Sequence, residues 1–449
     1  MLTSLLTDRY ELTMLQAGLR SGAAQRRSVF EIFTRRLAPG RRYGVVAGTG
    51  RLLEALADFR FDEEELDWLS SHKIVDGPTI DWLANYRFTG NIWGYAEGEI
   101  FFPGSPVLVV EGTFAEAVIL ETLALSIFNH DSAIASAAAR MVSAAGDRPC
   151  LEMGSRRTHE ISAVAAARAA VVAGFGGTSN LAAGKRYGIP TIGTAAHAFT
   201  LVHDSERDAF DAQVDSLGTD TTLLVDTFTV TDGVRTAVEI AGPNLGAVRL
   251  DSGDLVAQAY EVRTLLDSLG AYDTQIVVTS DLDEHAIAAL AQAPVDSYGV
   301  GTSLVTGSGA PTAGMVYKIV ARENASGHME PVAKAGSGGK AGIGGRKRAV
   351  RLYDSAGVAI EESIWADPDN HWESLGAPTL PLPDHAADQR ELLQPIIVAG
   401  DLVEPEALGA TGLERAAAHH TKVRAELPPG ALRLQRGDPA LETVNLVAN

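Results

Sequence analysis

Between residues 174 and 203 the sequence GFGGTSNLAAGKRYGIPTIGTAAHAFTLVH gathers glycines, short polar side chains, an apolar segment and a histidine. Gly174, Gly176 and Gly177 let the backbone turn sharply and come close to a ligand, and Thr178, Ser179 and Asn180 bring small polar groups to the start of a helix. That combination suits an anion. The apolar run after Pro190 reads as a buried strand that carries His197 to the mouth of a parallel sheet, where it is a candidate nucleophile. Taken alone, the segment fits a glycine turn far from any ligand, with His197 as a satisfied core histidine, at least as well.

Four further polar motifs change that balance, because each follows a short apolar run: EMGSRRTHE at 152–160, RLDSGD at 249–254, SDLDEH at 280–285 and YGVGTS at 298–303. Gly299, Val300, Gly301 and Thr302 offer backbone N–H groups to a phosphate, and Arg156 or Arg249 can add charge. Asp251 and Asp281 are short acids able to accept from ribose hydroxyls or to hold a hydrated Mg²⁺. Each motif also has a purely structural use, with Asp251 and Asp281 as helix caps and Gly299 with Gly301 as a turn. Four together point to a phosphorylated sugar as ligand. No His/Cys cluster suits zinc, and no GxSxG elbow, Walker lysine loop or kinase motif is present.

These groups need a scaffold that presents strand ends on one face. Apolar runs at 150–153, 170–174, 191–194, 221–226, 247–250, 275–279 and 297–301 alternate with helical stretches, which predicts an α/β fold with a parallel sheet. The lack of a dinucleotide fingerprint favours a closed or nearly closed barrel, whose carboxyl ends bind ligands, over the doubly wound sheet that the same pattern permits. Before it, residues 1–130 read as a mixed α+β unit. A helix begins at Thr7 or Asp8 with Leu12 and Leu15 on its apolar face and Tyr10 half-buried. A strand at 28–34 leads into Arg35, Arg36, Arg41 and Arg42, a solvated turn or a phosphate-binding rim. Helices follow at 44–57 and 62–71, short strands at 87–111, and one or two buried helices at 114–145. The barrel occupies 131–330. In 331–449, the glycine-rich basic stretch 334–351 reads as a mobile surface loop, with helices at 388–393 and 413–426 and with His419 and His420 exposed.

Composition sets outer limits. The 449 residues are 46% hydrophobic and 21% charged, as in soluble globular proteins of two or three domains. The net charge of −20 argues against a nucleic-acid binder. The single cysteine, Cys150, excludes an internal disulfide, and the acidic Asp8 disrupts any secretory signal. A cytoplasmic protein with no membrane partner is expected.

TDRYELTM, FEIFTRRL, EGTFAEAVILETL, GTSN, GTAAHAF, RLDSGDL, SDLDE, GVGTSLVTG and MVYKIV occur in the order and spacing found in nicotinate phosphoribosyltransferases. The chain resembles that family from Leu6 to about Arg351. The resemblance implies an irregular α/β barrel beside an α/β sandwich built from both chain ends, in a homodimer whose sites lie between subunits. It implies formation of nicotinate mononucleotide and pyrophosphate from nicotinate and phosphoribosyl pyrophosphate, with Mg²⁺, for NAD salvage. ATP would be hydrolysed through a phosphorylated histidine, matched by His197. Tyr10 matches an aromatic that stacks on the pyridine ring, and Met153 stands where relatives often place a second aromatic. Arg156 matches a substrate-binding arginine, Arg249 and Asp251 the ribose and pyrophosphate site, and Gly299 to Thr302 the 5-phosphate loop. Ser179 stands where nicotinamide-specific relatives carry an acid, which favours nicotinate. The stretch 334–351 also matches a family segment of lysine, serine and a later basic pair, which leaves a phosphate role for Lys340 or Lys347 open, but Gly344 replaces the usual proline. The alternatives are a nicotinamide or quinolinate phosphoribosyltransferase, or a catalytically silent phosphosugar-binding dimer that regulates a partner.

Overall fold

A computed structural model describes residues 3–334, 342–367 and 380–447. The chain forms two compact units, Ile134–Pro311 and a second assembled from Met1–Ala133 and Thr312–Asn449.

Unit Ile134–Pro311 holds six short strands: β1 (Cys150–Glu152), β2 (Gly177–Thr178), β3 (Thr222–Leu224), β4 (Ala247–Leu250), β5 (Gln275–Val278) and β6 (Ser297–Val300). All ladders are parallel, in the order β2-β1-β6-β5-β4-β3. This is chain order taken cyclically, since β1 lies between β2 and the last strand. Right-handed βα units roll a sheet in this way, here into a half-barrel left open between β2 and β3. Leu223, Leu224, Val248, Leu250, Ile276, Val278 and Val300 are buried, as strands covered on both faces require.

Two expected strands are different. Residues 170–174 end a helix, Glu160–Val172, because EISAVAAARAAVV is an alanine-rich run whose helix propensity outweighs its short apolar signal. The run at 191–194, which follows Pro190 and contains the open Gly193, forms only one bridge among the described residues, Thr178 to Thr191. Capping is settled by neighbours of the candidate acids: Asp254 accepts from Ala257 N at 3.2 Å, and Asp283 from His285 N and Ala286 N at 2.9 and 2.8 Å. Asp251 and Asp281 are thereby left free of that duty.

The second unit is built on a seven-stranded antiparallel sheet. Its order is Met329–Pro331, Met315–Glu323, Arg27–Thr34, Leu108–Thr113, Asn91–Gly94, Gln394–Val398 and Asp401–Leu402, so strands from both chain ends interleave. Phe30 stacks on Tyr317 at 4.9 Å across that ladder. A four-stranded sheet joins Asp388–Glu391, Arg346–Tyr353, Ala359–Asp367 and Glu442–Val447.

Four expectations for this unit need correction. The predicted helix at 44–57 opens as a strand, Gly44–Val45, and turns at Gly48, whose φ of 106° suits glycine, before the helix Thr49–Ala57. The predicted helix at 388–393 is a strand, its Arg390 drawn to Glu99 at 2.5 Å and Glu426 at 2.8 Å. In the stretch 334–351, residues 335–341, with Lys340, lie outside the described residues, but Arg346 onward is a strand. There Lys347 pairs with buried Glu31 at 2.7 Å and Arg351 with buried Glu362 at 2.7 Å. His419 and His420 are not exposed: His419 is half-buried and meets Glu99 at 3.0 Å, and His420 is buried, 2% exposed. Among the described residues no helix is long and apolar enough to cross a membrane.

Candidate active site

The polar motifs converge at the carboxyl ends of the half-barrel strands, as the topology requires. His197 opens a short helix, His197–Val202, and its Nε2 lies 3.0 Å from Asp226 Oδ1. Asp226 follows β3 and its side chain is 2% exposed, against 40% for His197. A carboxylate oxygen only accepts, so Nε2–H is the donor, and the neutral imidazole carries its lone pair on the other nitrogen, Nδ1. The second oxygen of Asp226 accepts from Asp251 N and Ser252 Oγ, each at 2.9 Å. One carboxylate thus joins the histidine to the RLDSGD loop. Glu206 lies close enough for Asp232 and Asp226 to add to the burial that raises its carboxyl above the usual range.

Arg249, on β4, is held from three sides. Its Nε donates to Thr279 Oγ1 at 3.0 Å, its Nη1 to Thr194 Oγ1 and to Ala195 O, and its Nη2 to Asp251 Oδ1 at 3.3 Å. Thr279 donates its own hydroxyl to the same Asp251 oxygen. The guanidinium therefore ties β4 to Thr279 and to the segment 194–195, and Asp251 keeps Oδ2 outside these bonds. This locked geometry preorganises one positive and one negative group side by side.

The remaining loops surround them. Met153 packs over β6: a Cβ on Gly299 would meet Met153 Sδ at 2.7 Å and Thr279 Cγ2 at 2.5 Å, so glycine is what admits the methionine. Gly301 precedes a single helical turn, Thr302–Val305, whose first N–H groups have no partner inside the turn. Arg156 and Asp281 are exposed and Ser179 is half-buried. Thr178 departs from expectation. It is fully buried, its hydroxyl donates to Glu152, its N–H to Pro190 O, and its carbonyl accepts from Ile192 N. With every polar group engaged it can serve a ligand only through the loop it anchors.

Tyr10 belongs to the other unit, on the helix Arg9–Ser21, where it is 45% exposed. Burial first, then Glu121, Glu11 and Asp8, push its hydroxyl well above the usual range, so it stays protonated and able to present a neutral ring.

The sequence reading missed Asp226, Thr279 and Glu152. Asp226 gave the same signal as Asp251, an acid at the carboxyl end of an apolar run, and was read only as the end of a strand.

For a metal, no group of three or more His, Cys, Asp or Glu side chains is arranged as a cage among the described residues. Asp251, one-third exposed with an oxygen to spare, fits a hydrated Mg²⁺ brought with phosphates.

Family models match most of the chain: the nicotinate phosphoribosyltransferase N-terminal domain over residues 5–129 and the nicotinate phosphoribosyltransferase family over 149–343. The nicotinate phosphoribosyltransferase pncB1 of Mycobacterium tuberculosis is 54% identical over 452 residues, covering 99% of this chain and 95% of its own. That of Bacillus subtilis is 37% identical over 362 residues, covering 79% and 74%. Among solved structures, human nicotinic acid phosphoribosyltransferase superposes with a TM-score of 0.82 at 26% identity, over 98% of this chain and 97% of its own.

Proposed function

The chain belongs to the nicotinate phosphoribosyltransferase family and is an enzyme of nicotinate salvage toward NAD; we propose that it couples this reaction to ATP through His197. At this identity over the whole chain, the nicotinamide, quinolinate and silent-binder readings are not favoured.

In the transfer, the pyridine nitrogen of nicotinate attacks C1 of the phosphoribosyl group and the C1–O bond to pyrophosphate breaks. The nitrogen already has its lone pair, so the protein must orient it, stabilise positive charge on the ribose ring and receive pyrophosphate. Asp251 supplies the negative charge and Arg249 the positive one. Ser179, uncharged, leaves room for the carboxylate of nicotinate. Mg²⁺, when held by Asp251 through water, would neutralise the departing pyrophosphate.

The observation that carries the coupling is the bond from His197 Nε2 to Asp226, which leaves Nδ1 as the nucleophile. Nδ1 attacks the γ-phosphorus of ATP, the P–O bond to ADP breaks, and Asp226 stabilises the positive imidazole ring that results. Water later takes the phosphoryl group and restores the histidine. Because Asp226 also binds Asp251 N, the charge on His197 reaches the loop that faces the ribose.

Exposed apolar side chains support a homodimer with shared sites. Leu201 and Val202, on the histidine helix, are 62% and 77% exposed, and Phe228, two residues past Asp226, is 62% exposed. A partner subunit covering them, with its own Tyr10 on the pyridine ring, is the arrangement the family resemblance implies. The buried, unpaired Cys150 suits the reducing cytoplasm.

Labelling with ATP carrying radioactive γ-phosphate tests the coupling. An acid-labile, base-stable label on the wild type that His197→Ala lacks is expected; an unlabelled wild type contradicts it.

A further inference from the structure

Glu152 ends β1, and its side chain is fully buried. One of its carboxylate oxygens accepts from Gly154 N and the other from Thr178 Oγ1, while its backbone carbonyl accepts from Ser179 N at 2.8 Å. The contacts run outward from there. Thr178 Oγ1 accepts from Asn180 N at 2.9 Å, and Asn180 Nδ2 donates to Ser155 Oγ at 3.0 Å. Gly154, pinned by Glu152, sits against the third loop: a Cβ there would meet Val305 Cγ1 at 2.2 Å and Gly301 O at 3.1 Å.

We propose that Glu152 is a positioning residue for the transfer reaction, a buried carboxylate that clamps the loops after β1, β2 and β6 into one rigid rim around the substrates. Those loops carry Met153 and Arg156, Ser179, and the Gly301–Thr302 turn. Glu152 itself touches no substrate.

The chemistry of the residue fits the task. Two donors, an N–H from one loop and an O–H from another, converge on a point inside the protein, and an acceptor with two oxygens serves both. An apolar side chain would pack there without desolvation but would orphan both donors. Burial pushes the Glu152 carboxyl up, and the bonds from Thr178 and Gly154 hold it back. The arrangement therefore carries a desolvation cost that simple packing would avoid.

The inference uses the nicotinate reading only for its assay substrates. Four variants test it: Glu152→Ala, Thr178→Val, the double variant and Glu152→Gln. Each is measured for kcat, for KM of nicotinate and of phosphoribosyl pyrophosphate, for Tm, and for phosphoribosyl pyrophosphate binding by calorimetry with Mg²⁺. Loop misplacement of about 1 Å can cost roughly 100-fold in rate. The expected result is a rise of about 10-fold or more in both KM values for Glu152→Ala and for Thr178→Val, each still folded. The double variant should lose less than the product of the two single losses, since both break the Glu152–Thr178 link while each also removes a bond of its own, from Gly154 N or from Asn180 N. Glu152→Gln should recover part of the loss, because its oxygen can serve Gly154 N and its amide can donate to Thr178 Oγ1, leaving only the Thr178 proton without its acceptor. Variants that lower Tm but keep wild-type KM values and binding overturn the proposal, as do losses that multiply in the double variant. Should Glu152→Ala fail to fold, Thr178→Val and Glu152→Gln decide by the same readings. A wild type that makes no product from nicotinate contradicts the functional reading instead, and the calorimetric comparison still tests the clamp.

Discussion

Asp226 accepts from His197 Nε2 at 3.0 Å with one carboxylate oxygen and from Asp251 N at 2.9 Å with the other. A single buried acid therefore joins His197 to the RLDSGD loop. Asp226→Ala should lose ATP stimulation as His197→Ala does and, in addition, depress the ATP-independent rate. His197→Ala should keep that slow rate, because the histidine does not attack the ribose. Steady-state assays with and without ATP on both variants check this. Equal ATP-independent rates in the two would remove the bridge.

Asp251 is locked by Thr279 and Arg249 yet keeps one oxygen free. Removing one preorganised charge of this kind costs about 3–4 kcal/mol of transition-state stabilisation, or roughly 100- to 1,000-fold in kcat. Asp251→Ala should show that loss with its circular dichroism and Tm close to wild type. An Asp251→Ala enzyme with a kcat close to wild type would refute the role.

Lys347 is not available to a phosphate, since its Nζ lies 2.7 Å from Glu31 Oε2 and 2.8 Å from Ile343 O inside the second unit. Lys347→Met leaves Glu31 buried without its cation and should cost about 3–5 kcal/mol of stability. The folded fraction should keep its KM for phosphoribosyl pyrophosphate. Adding Glu31→Leu should restore much of the Tm, and denaturant melts of the three proteins measure both effects.

Acid should loosen the same unit through His420. Its Nδ1 lies 2.9 Å from Gly98 O, so Nδ1–H is the donor, and Nε2 is buried without a partner. Burial lowers its pKa from 6.5 to about 4. The folded state thus favours the neutral ring, whose stabilisation is complete above 6.5 and is lost as pH falls toward about 4. The gap is worth roughly 3 kcal/mol. Tm should fall across that window in wild type and less steeply in His420→Asn, which keeps a donor for Gly98 O. Glu99 acts lower: burial raises it, but the bond from His419 and the charges of Arg351 and Arg390 hold it well below its usual value. Its stabilisation is present above about 4.5 and goes only beneath that.

The site was legible where side-chain chemistry and strand periodicity coincided. RLDSGD and YGVGTS follow short runs of apolar residues, and β4, β5 and β6 lie where those runs predict. Asp226 escaped because it stands alone, without the glycines and arginine that mark the RLDSGD loop; its value lies in contacts made across the sheet. Residues 170–174 misled because an alanine-rich helix and a buried strand share one short apolar signature. Lys347 and Arg351 read as part of a basic surface loop and Arg390 as part of a helix, since nothing local announces Glu31, Glu362 or Glu99 as their buried partners. Gly299 shows the opposite case. The sequence reads it as a phosphate-loop glycine, while its contact with Met153 emerges only when β1 and β6 are side by side.

The most direct test of the account is product formation by the purified protein with Mg²⁺ and phosphoribosyl pyrophosphate, given nicotinate, nicotinamide or quinolinate, each with and without ATP and read by mass. Nicotinate mononucleotide formed from nicotinate alone among the three, and faster with ATP, is the predicted result. Product from another pyridine, or a rate from nicotinate that ATP leaves unchanged, would contradict it.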